Sequence, residues 1–324
     1  MLPMNEETWY TREEAETDPE FGCIPEKRPA KDLLDQGFVV LDKPFGPTSN
    51  QVSYWVKEEL NLKKAGHFGT LDPNATGILP VGLSSGTRIN PALSQAEKEY
   101  VFEAEMSEER PEKDIREVLK DFKGVNNQVP PEKSAVKREE REREVYEIEL
   151  IEVDGRNFLA RVRCESGFYV RVLIDQVAEA LDVEAEMEEL RRTLQASLTE
   201  EDVHTLQDVV DAYHFYKEKE NEEALREVIN PIERAVTHLR KVVIKDSAVN
   251  AVANGSDLGA SGISKFQDNI DEGETVAVTT LKGELIALGE ALMNSEKMYD
   301  EKGTAVEVNN VYMDPGIYPK RWKQ

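Results

Sequence analysis

The chain has 324 residues, enough for two domains that each bury a core. Its 65 Asp and Glu against 40 Lys and Arg give a formal net charge of −25, which argues against a nucleic-acid partner unless basic residues gather locally. Two cysteines, Cys23 and Cys164, without C-x-x-C spacing exclude a disulfide framework and a zinc ribbon. No apolar run reaches the length of a membrane span, and the first residues lack a basic region followed by an apolar core, so a reducing cytoplasm is the expected setting.

Residues 1–36 are polar and acidic with scattered apolar anchors (Trp9, Tyr10, Phe21, Ile24, Pro25), the composition of an extension that is disordered or wraps another domain. Phe38–Leu41 reads as a short buried strand, and Lys43-Pro44 with Gly46-Pro47 as a turn. Thr48 or Ser49 caps the next helix, whose apolar face is Val52, Trp55, Val56 and Leu60. Lys43 by itself fits a solvated turn as well as a supporting place near a site. Then comes Gly66 to Leu83, G-H-F-G-T-L-D-P-N-A-T-G-I-L-P-V-G-L, which sets His67 and Asp72 among glycines ahead of an apolar strand. Pro73 biases Asp72 away from the helical region, so Asp72 stands on a rigid loop. Gly66, Gly69 and Gly77 permit conformations or close approaches that a side chain would block. No Gly-Lys-Ser/Thr follows, which excludes a phosphate loop. His67 and Asp72 alone do not make a metal site. An isolated G-x-x-G-x-x-D is most often a turn with a capping Asp.

A-E-K-E-Y-V-F-E-A-E reads as a strand with Tyr100, Phe102 and Ala104 on one face, where a tyrosine ordinarily packs. Residues 107–124 read as a polar helix carrying Ile115, Val118, Leu119 and Phe122. N-N-Q-V-P-P-E-K-S-A-V-K-R reads as an exposed basic loop with Lys133, Lys137 and Arg138, beside a charged run that is usually a solvated face. Phe158, Ala160, Val162 and Cys164 alternate as a strand. Ser166-Gly167 turn into a helix with Val170, Leu173, Val177 and Leu181 on its buried face. Arg171 lies near that helix's N-terminus, a poor place for a cation unless a carboxylate compensates. Thr205-Leu206-Gln207-Asp208 is a capping box for a helix with Val209, Val210 and Tyr213. From about residue 238 short strands punctuated by Gly, Asn and Asp predict a small β-barrel. The end, Y-P-K-R-W-K-Q, is basic and aromatic.

Together these motifs resemble the TruB/dyskerin family of pseudouridine synthases, whose catalytic segment is G-H-x-G-T-L-D-P-x-x-T-G. L-D-K-P-x-G-x-T-S, K-x-Y, G-x-Y-[VI]-R and E-L-R-R-T also match, at Leu41–Ser49, Lys98–Tyr100, Gly167–Arg171 and Glu189–Thr193. N-G-S-D-L…G-I and K-G-E-L-I-A-L-G-E-A resemble a PUA domain, and the short basic loop is closer to the dyskerin branch, in an archaeal form. The resemblance implies an α+β fold: a catalytic domain with a mixed, largely antiparallel central sheet flanked by helices, plus a small PUA β-barrel. The expected division is 1–36 as an extension packing on the PUA domain, 37–237 as the catalytic domain, 238–316 as the PUA domain and 317–324 as a basic tail.

By the same resemblance Asp72 is the catalytic carboxylate, Arg171 its ion-pair partner and Tyr100 the tyrosine that stacks on the target base. His67 lies beside the flipped nucleotide, Leu190 packs near the site, and Lys43 supports it. Lys133, Lys137 and Arg138 form an RNA-contacting thumb, and Arg191 and Arg192 are further basic residues for RNA. The implied reaction isomerises uridine to pseudouridine in flipped-out RNA, with no cofactor and no metal. Asp72 acts as nucleophile on sugar or base, or as a base at C2′, and the sequence does not choose. Implied partners are tRNA and rRNA substrates, an H/ACA guide RNA, and small zinc-ribbon-like, Gly/Arg-type β-barrel and kink-turn-binding proteins; no membrane is involved. A guide-independent enzyme for the T-loop uridine of tRNA and a silent RNA-assembly scaffold stay open beside the guided enzyme. Three departures stand out: Leu194-Gln195-Ala196-Ser197 in place of an Arg-Ser-Gly-like stretch bears on RNA contacts, while Phe68 and Phe168 bear on pocket shape. The charge predicts a very salty host cytoplasm, where acidic faces keep a protein soluble and hardly repel phosphate.

Overall fold

The computed structural model describes residues 8–131, 137, 139–219 and 221–320. The chain divides into two units, one of Leu34–Asn230 and one formed by the chain up to Leu33 together with the chain from Pro231 onward.

Leu34–Asn230 is built on a 10-stranded sheet. Along it lie, in order, Gly37–Lys43, Ala75–Leu83, Ala185–Gln195, Lys98–Met106, Asn157–Cys164, Arg141–Asp154 and Gly124–Gln128. Among these, Ala75–Leu83 runs parallel to Ala185–Gln195 and the other neighbours are antiparallel, so the sheet is mixed and largely antiparallel. Lys98–Met106 shows why a strand forms: Tyr100, Phe102, Ala104 and Met106 are buried while Val101, Glu103 and Glu105 alternate with them on the wetter face. On that face glutamates meet arginines across strands, as Arg161 meets Glu149 at 2.5 Å. Gly37–Lys43 is instead buried along nearly all its length, as its unbroken apolar run requires.

Thr48 caps helix Ser49–Glu59 with a full capping box: its hydroxyl accepts the Gln51 N–H and the Gln51 side chain accepts the Thr48 N–H. The buried face differs from the expected one. Ser53 is buried with Val52 and Val56, whereas Trp55 is exposed, because Ser53 Oγ bonds Ser49 O at 3.0 Å and the His67 ring at 3.3 Å. The polar helix spans Glu112–Asp121, shorter than the expected 107–124, with Pro111 before it and strand Gly124–Gln128 directly after. Helix Val170–Ala180 buries Val170, Leu173, Ile174 and Val177 against the sheet.

The other unit carries a 7-stranded sheet, and its edge strand is Trp9–Thr11, antiparallel to Ile263–Gln267. The N-terminal segment is tied in further along. Thr17 Oγ1 and the Asp18 N–H donate to Asp246 Oδ2, and the Cys23 N–H donates to Glu284. Arg28 meets Glu233 with two hydrogen bonds of 2.8 and 2.7 Å. Glu233 also accepts the Leu285 N–H, which ties the segment from Pro231 onward into this unit. Strands alone do not make this unit, contrary to the sequence reading: Asp246–Ala253 and Ser295–Asp300 are helices, the first burying Val249, Val252 and Ala253 at helical spacing. Tyr318 is buried and donates to Glu284 Oε2 at 2.8 Å, and residues 321–324 lie outside the described residues.

Candidate active site

Strand Ala65–His67 pairs antiparallel with strand Ala75–Leu83, and the loop between them carries Asp72. Several contacts hold that loop still. The Ala75 N–H donates to Asp72 O at 3.0 Å. Ser49 Oγ takes the Leu71 N–H and reaches Leu71 O, each at 2.8 Å. Lys43 Nζ donates to the carbonyls of Pro44, Pro73 and Ala75 at 3.0, 3.2 and 2.7 Å. Lys43 is fully buried, so neither a solvated turn nor contact with substrate describes it; it fastens the turn from beneath.

Gly77 is obligatory for a backbone reason. Its φ is +96°, and a Cβ there would lie 2.3 Å from Arg192 O on the neighbouring parallel strand. Gly66, by contrast, has ordinary space around it, with 3.7 Å to the nearest atom, so the expected need for glycine does not extend to it.

Asp72 Oδ2 meets Arg171 Nη2 at 2.5 Å, with the two side chains 47% and 39% exposed. The pair therefore sits at a wet mouth, and the carboxylate answers the unfavourable placing of a cation in the first turn of helix Val170–Ala180. Inward lies a cavity of about 410 Å³, lined among others by Asp72, Tyr100, Phe168, Tyr169, Arg171 and Leu190. Tyr100 is buried, and burial raises its hydroxyl above the usual 10 despite the opposing charge of Arg192. Near neutral pH it is thus a protonated phenol, able to donate a proton or hydrogen bond but not a preformed phenolate base.

Several expected residues stand elsewhere. His67 is absent from the cavity lining; its ring bonds Ser53 Oγ at 3.3 Å and Thr70 Oγ1 at 3.1 Å, and burial, then Arg192, lowers its pKa. Phe68 points into the core, 6.3 Å from Phe38, and cannot shape the pocket, whereas Phe168 does line it. Gln195, in the divergent stretch, is buried and donates to Phe68 O at 2.5 Å and Leu93 O at 2.8 Å, a structural tie rather than an RNA contact. Arg191 is engaged by Asp42 at 2.9 Å and Glu200 at 2.6 Å, so two carboxylates already neutralise it. Arg192 is fully buried and no phosphate can reach it from solvent; its Nε donates to Ile78 O and its Nη2 to Gly69 O, at 2.7 and 3.0 Å. Lys137 pairs with Glu139, and Lys133 and Arg138 lie outside the described residues.

The sequence reading passed over Lys98 and Tyr169, although both stand inside matched motifs and line the cavity. It also passed over Gln128, read there as loop. Gln128 clamps the backbone of Tyr169, accepting its N–H at 2.8 Å and donating to its carbonyl at 3.1 Å.

Family models match nearly end to end. The TruB family pseudouridylate synthase N-terminal domain matches residues 57–170, and the tRNA pseudouridylate synthase B C-terminal domain matches 171–237. The PUA domain matches 240–312 and the DKCLD (NUC011) domain 1–53. "Probable tRNA pseudouridine synthase B" of Methanocaldococcus jannaschii is 49% identical over 99% of this chain and 96% of its own. That of Archaeoglobus fulgidus is 44% identical over 99% of both. Among solved structures, a chain of a Cbf5-Nop10-Gar1 complex matches with TM-score 0.93 and 48% identity over 98% of each chain. A chain of an H/ACA RNP bound to a substrate RNA containing 2′-deoxyuridine matches with TM-score 0.91 and 46% identity over 98% of each. Likeness this complete, with the motif carboxylate and its arginine paired at a cavity mouth, places the chain in the TruB/dyskerin family as an archaeal-type RNA pseudouridine synthase with a C-terminal PUA domain.

Proposed function

We propose that this synthase is the catalytic subunit of an H/ACA guide-RNA particle that acts on rRNA and on the T-loop uridine of tRNA, with Asp72 as its catalytic carboxylate. The observation that carries the reading is the match over 98% of both chains to chains solved within H/ACA assemblies. Nop10- and Gar1-like proteins, a kink-turn binder and a guide RNA are then its partners. Residues 37–237 do the chemistry and residues 238–316 hold RNA. The target uridine leaves its stack and packs on Tyr100 and Leu190. Arg171 holds Asp72 Oδ2, which leaves Oδ1 to act at the sugar or base. The N1–C1′ bond breaks, the base turns, C5 bonds C1′, and N1 gains a proton as C5 loses one.

The test is tritium release from RNA labelled at uridine C5, with and without guide RNA and the small proteins. Modification should follow the guide when its complementarity is moved. Asp72→Asn, which removes charge at constant size, should abolish turnover and leave RNA binding intact; substantial turnover would refute the role of Asp72. The name shared by the archaeal relatives favours a second reading, a stand-alone tRNA enzyme. That reading prevails if tRNA is modified at full rate without a guide and the modified position ignores the guide.

A further inference from the structure

The buried charged side chains among the described residues are Arg28, Lys43, Lys98, Arg192, Asp246 and Glu284. Arg28 meets the carboxylate of Glu233. For Lys43, Lys98 and Arg192 no carboxylate lies within ion-pair distance among the described residues, and two of the three line the active-site cavity. Among the described residues, Lys98 Nζ is held by the carbonyls of Ser94 and Ala96, at 2.9 and 2.7 Å. Arg192 stands opposite Tyr100 across the strand pair; its buried Nη1 is out of good hydrogen-bond geometry, and the polar group its charge meets there is the neutral Tyr100 hydroxyl rather than a carboxylate. The two cations flank one point of the wall, since a methyl built on Gly69 would lie 3.5 Å from Arg192 Nη1 and 3.5 Å from Lys98 Cε.

Burying a cation without an anion costs on the order of several kcal/mol. In a chain with a net charge of −25 carboxylates are plentiful, yet among the described residues none forms an ion pair with these two, and the carboxylate that shares their cavity, Asp72, is paired with Arg171. Such an arrangement suits a negative charge that appears only during reaction. The isomerisation supplies one. When N1–C1′ breaks, the bonding pair stays on N1 and the base separates as a uracil anion. Asp72 meanwhile loses its own charge, either by bonding C1′ or by accepting the C2′ proton. Negative charge thus passes from Asp72 at the mouth to the base inside, and returns when C5 bonds C1′.

We propose that Lys98 and Arg192 form a cationic wall that stabilises the detached uracil anion. This rests on the reading of Asp72 as the acting carboxylate. The wall takes no proton and forms no bond; it lowers the barrier to cleavage and leaves RNA binding alone.

The test compares Lys98→Met and Arg192→Lys with the parent in single turnover at saturating RNA, using the full chain in whichever RNA assembly supports turnover. Substrates carry uridine or 5-fluorouridine at the target, and the C5–C1′-linked nucleoside is read by chromatography after digestion; with 5-fluorouridine, whose C5 has no proton to lose, the linked base takes up water, hydroxide at C6 and a proton at N1. Lys98→Met should slow uridine rearrangement ~100-fold, the size of losing one preorganised charge-stabilising donor. Its RNA affinity should stay within ~2-fold of the parent, and its melting temperature should not fall, because an apolar chain replaces an unpaired buried cation. With 5-fluorouridine the loss should shrink to ~10-fold or less, since fluorine stabilises the anion by itself and leaves less for the wall to supply. Arg192→Lys keeps the charge and should retain more activity than Lys98→Met. Equal losses on both substrates would overturn the proposal, as would a weakened RNA affinity with a normal saturating rate, the mark of a phosphate clamp. Asp72→Asn in the same assay keeps the two ideas apart: turnover there defeats the site reading whatever Lys98→Met does.

Discussion

At the scale of single residues, Lys98 links pH to both rate and stability, with opposite signs. Burial first, and the Arg192 charge second, push its ammonium down to about 8. The neighbouring thiol of Cys164 is pushed up to about 12 by burial, Tyr100 is raised above its usual 10, and His67 is lowered. None of these three titrates between pH 7 and 9, and Arg192, though lowered by burial, keeps the charge of a guanidinium there. If the Lys98 charge helps the base to leave, the rate of the parent falls as pH rises through about 8, and the same stretch of the Lys98→Met profile is flat. Stability moves the other way. The folded pKa lies below the unfolded 10.5, so between 8 and 10.5 the unfolded chain binds the extra proton and rising pH favours the fold. The full swing is about 3 kcal/mol from a shift of this size. Urea titrations of parent and Lys98→Met should therefore show the variant's advantage at pH 7 shrinking towards pH 10. A constant difference would mean that Lys98 stays protonated in the fold up to pH 10, and the fall in rate through about 8 would then belong to another group.

At the scale of elements, the strand pair Ala75–Leu83 with Ala185–Gln195 positions the site, because it sets the Asp72 loop beside Arg192 and Tyr100. Gly77→Ala must both hold a positive φ and push the strands apart, so a loss of at least ~3 kcal/mol in stability is expected. Gly66→Ala meets ordinary contact distances, and a change within ~1 kcal/mol is expected. Chemical denaturation of the two variants decides it, and equal effects would mean that the close approach at Gly77 relaxes without cost. Much of this element structure was legible beforehand. Period-two burial gave Lys98–Met106 and Asn157–Cys164, and cap chemistry gave the helix start at Thr48. The motif string marked Asp72 and Arg171, which the fold brings together over a separation of 99 residues. What escaped were facts that depend on neighbours. Trp55 yields its buried place to Ser53 because the His67 ring lies there. Arg191 and Arg192 look alike in sequence, yet they point to opposite sides of a strand. Reading 185–195 with period two would have put Arg192 on the buried face with Leu190. The helix Asp246–Ala253 escaped for a simpler reason, since its apolar residues are small and sit among glycines and asparagines.

At the scale of the whole molecule, the charge is divided between an acidic exterior and a cationic site. The net −25 opposes the approach of a polyanion, while Lys98 and Arg192 are buried in the cavity wall, Lys43 beneath the Asp72 turn, and Arg171 stands at the mouth. Salt acts on these two populations differently. At about 1 M the Debye length is ~3 Å, so repulsion between acidic faces and phosphates is nearly gone beyond contact. Exposed pairs such as Arg156–Glu105 are worth ~1 kcal/mol or less each, so their screening costs the fold little. Buried cations are screened far less than exposed charges, and the chemistry inside the cavity is left as it was. RNA affinity then rests on stacking, hydrogen bonds, shape and partner proteins rather than on counterion release. The expectation is that folding holds and RNA turnover by the isolated chain or its particle rises as potassium chloride increases from ~0.1 M towards ~1 M. The ratio of parent to Lys98→Met rates at saturating RNA should stay constant across the same titration. An acidic protein of an ordinary cytoplasm, whose partners supply the positive charge, behaves otherwise. For it, activity and folding peak below ~0.2 M potassium chloride and fall steeply by ~2 M, and that result would end the reading of a salt-adapted enzyme.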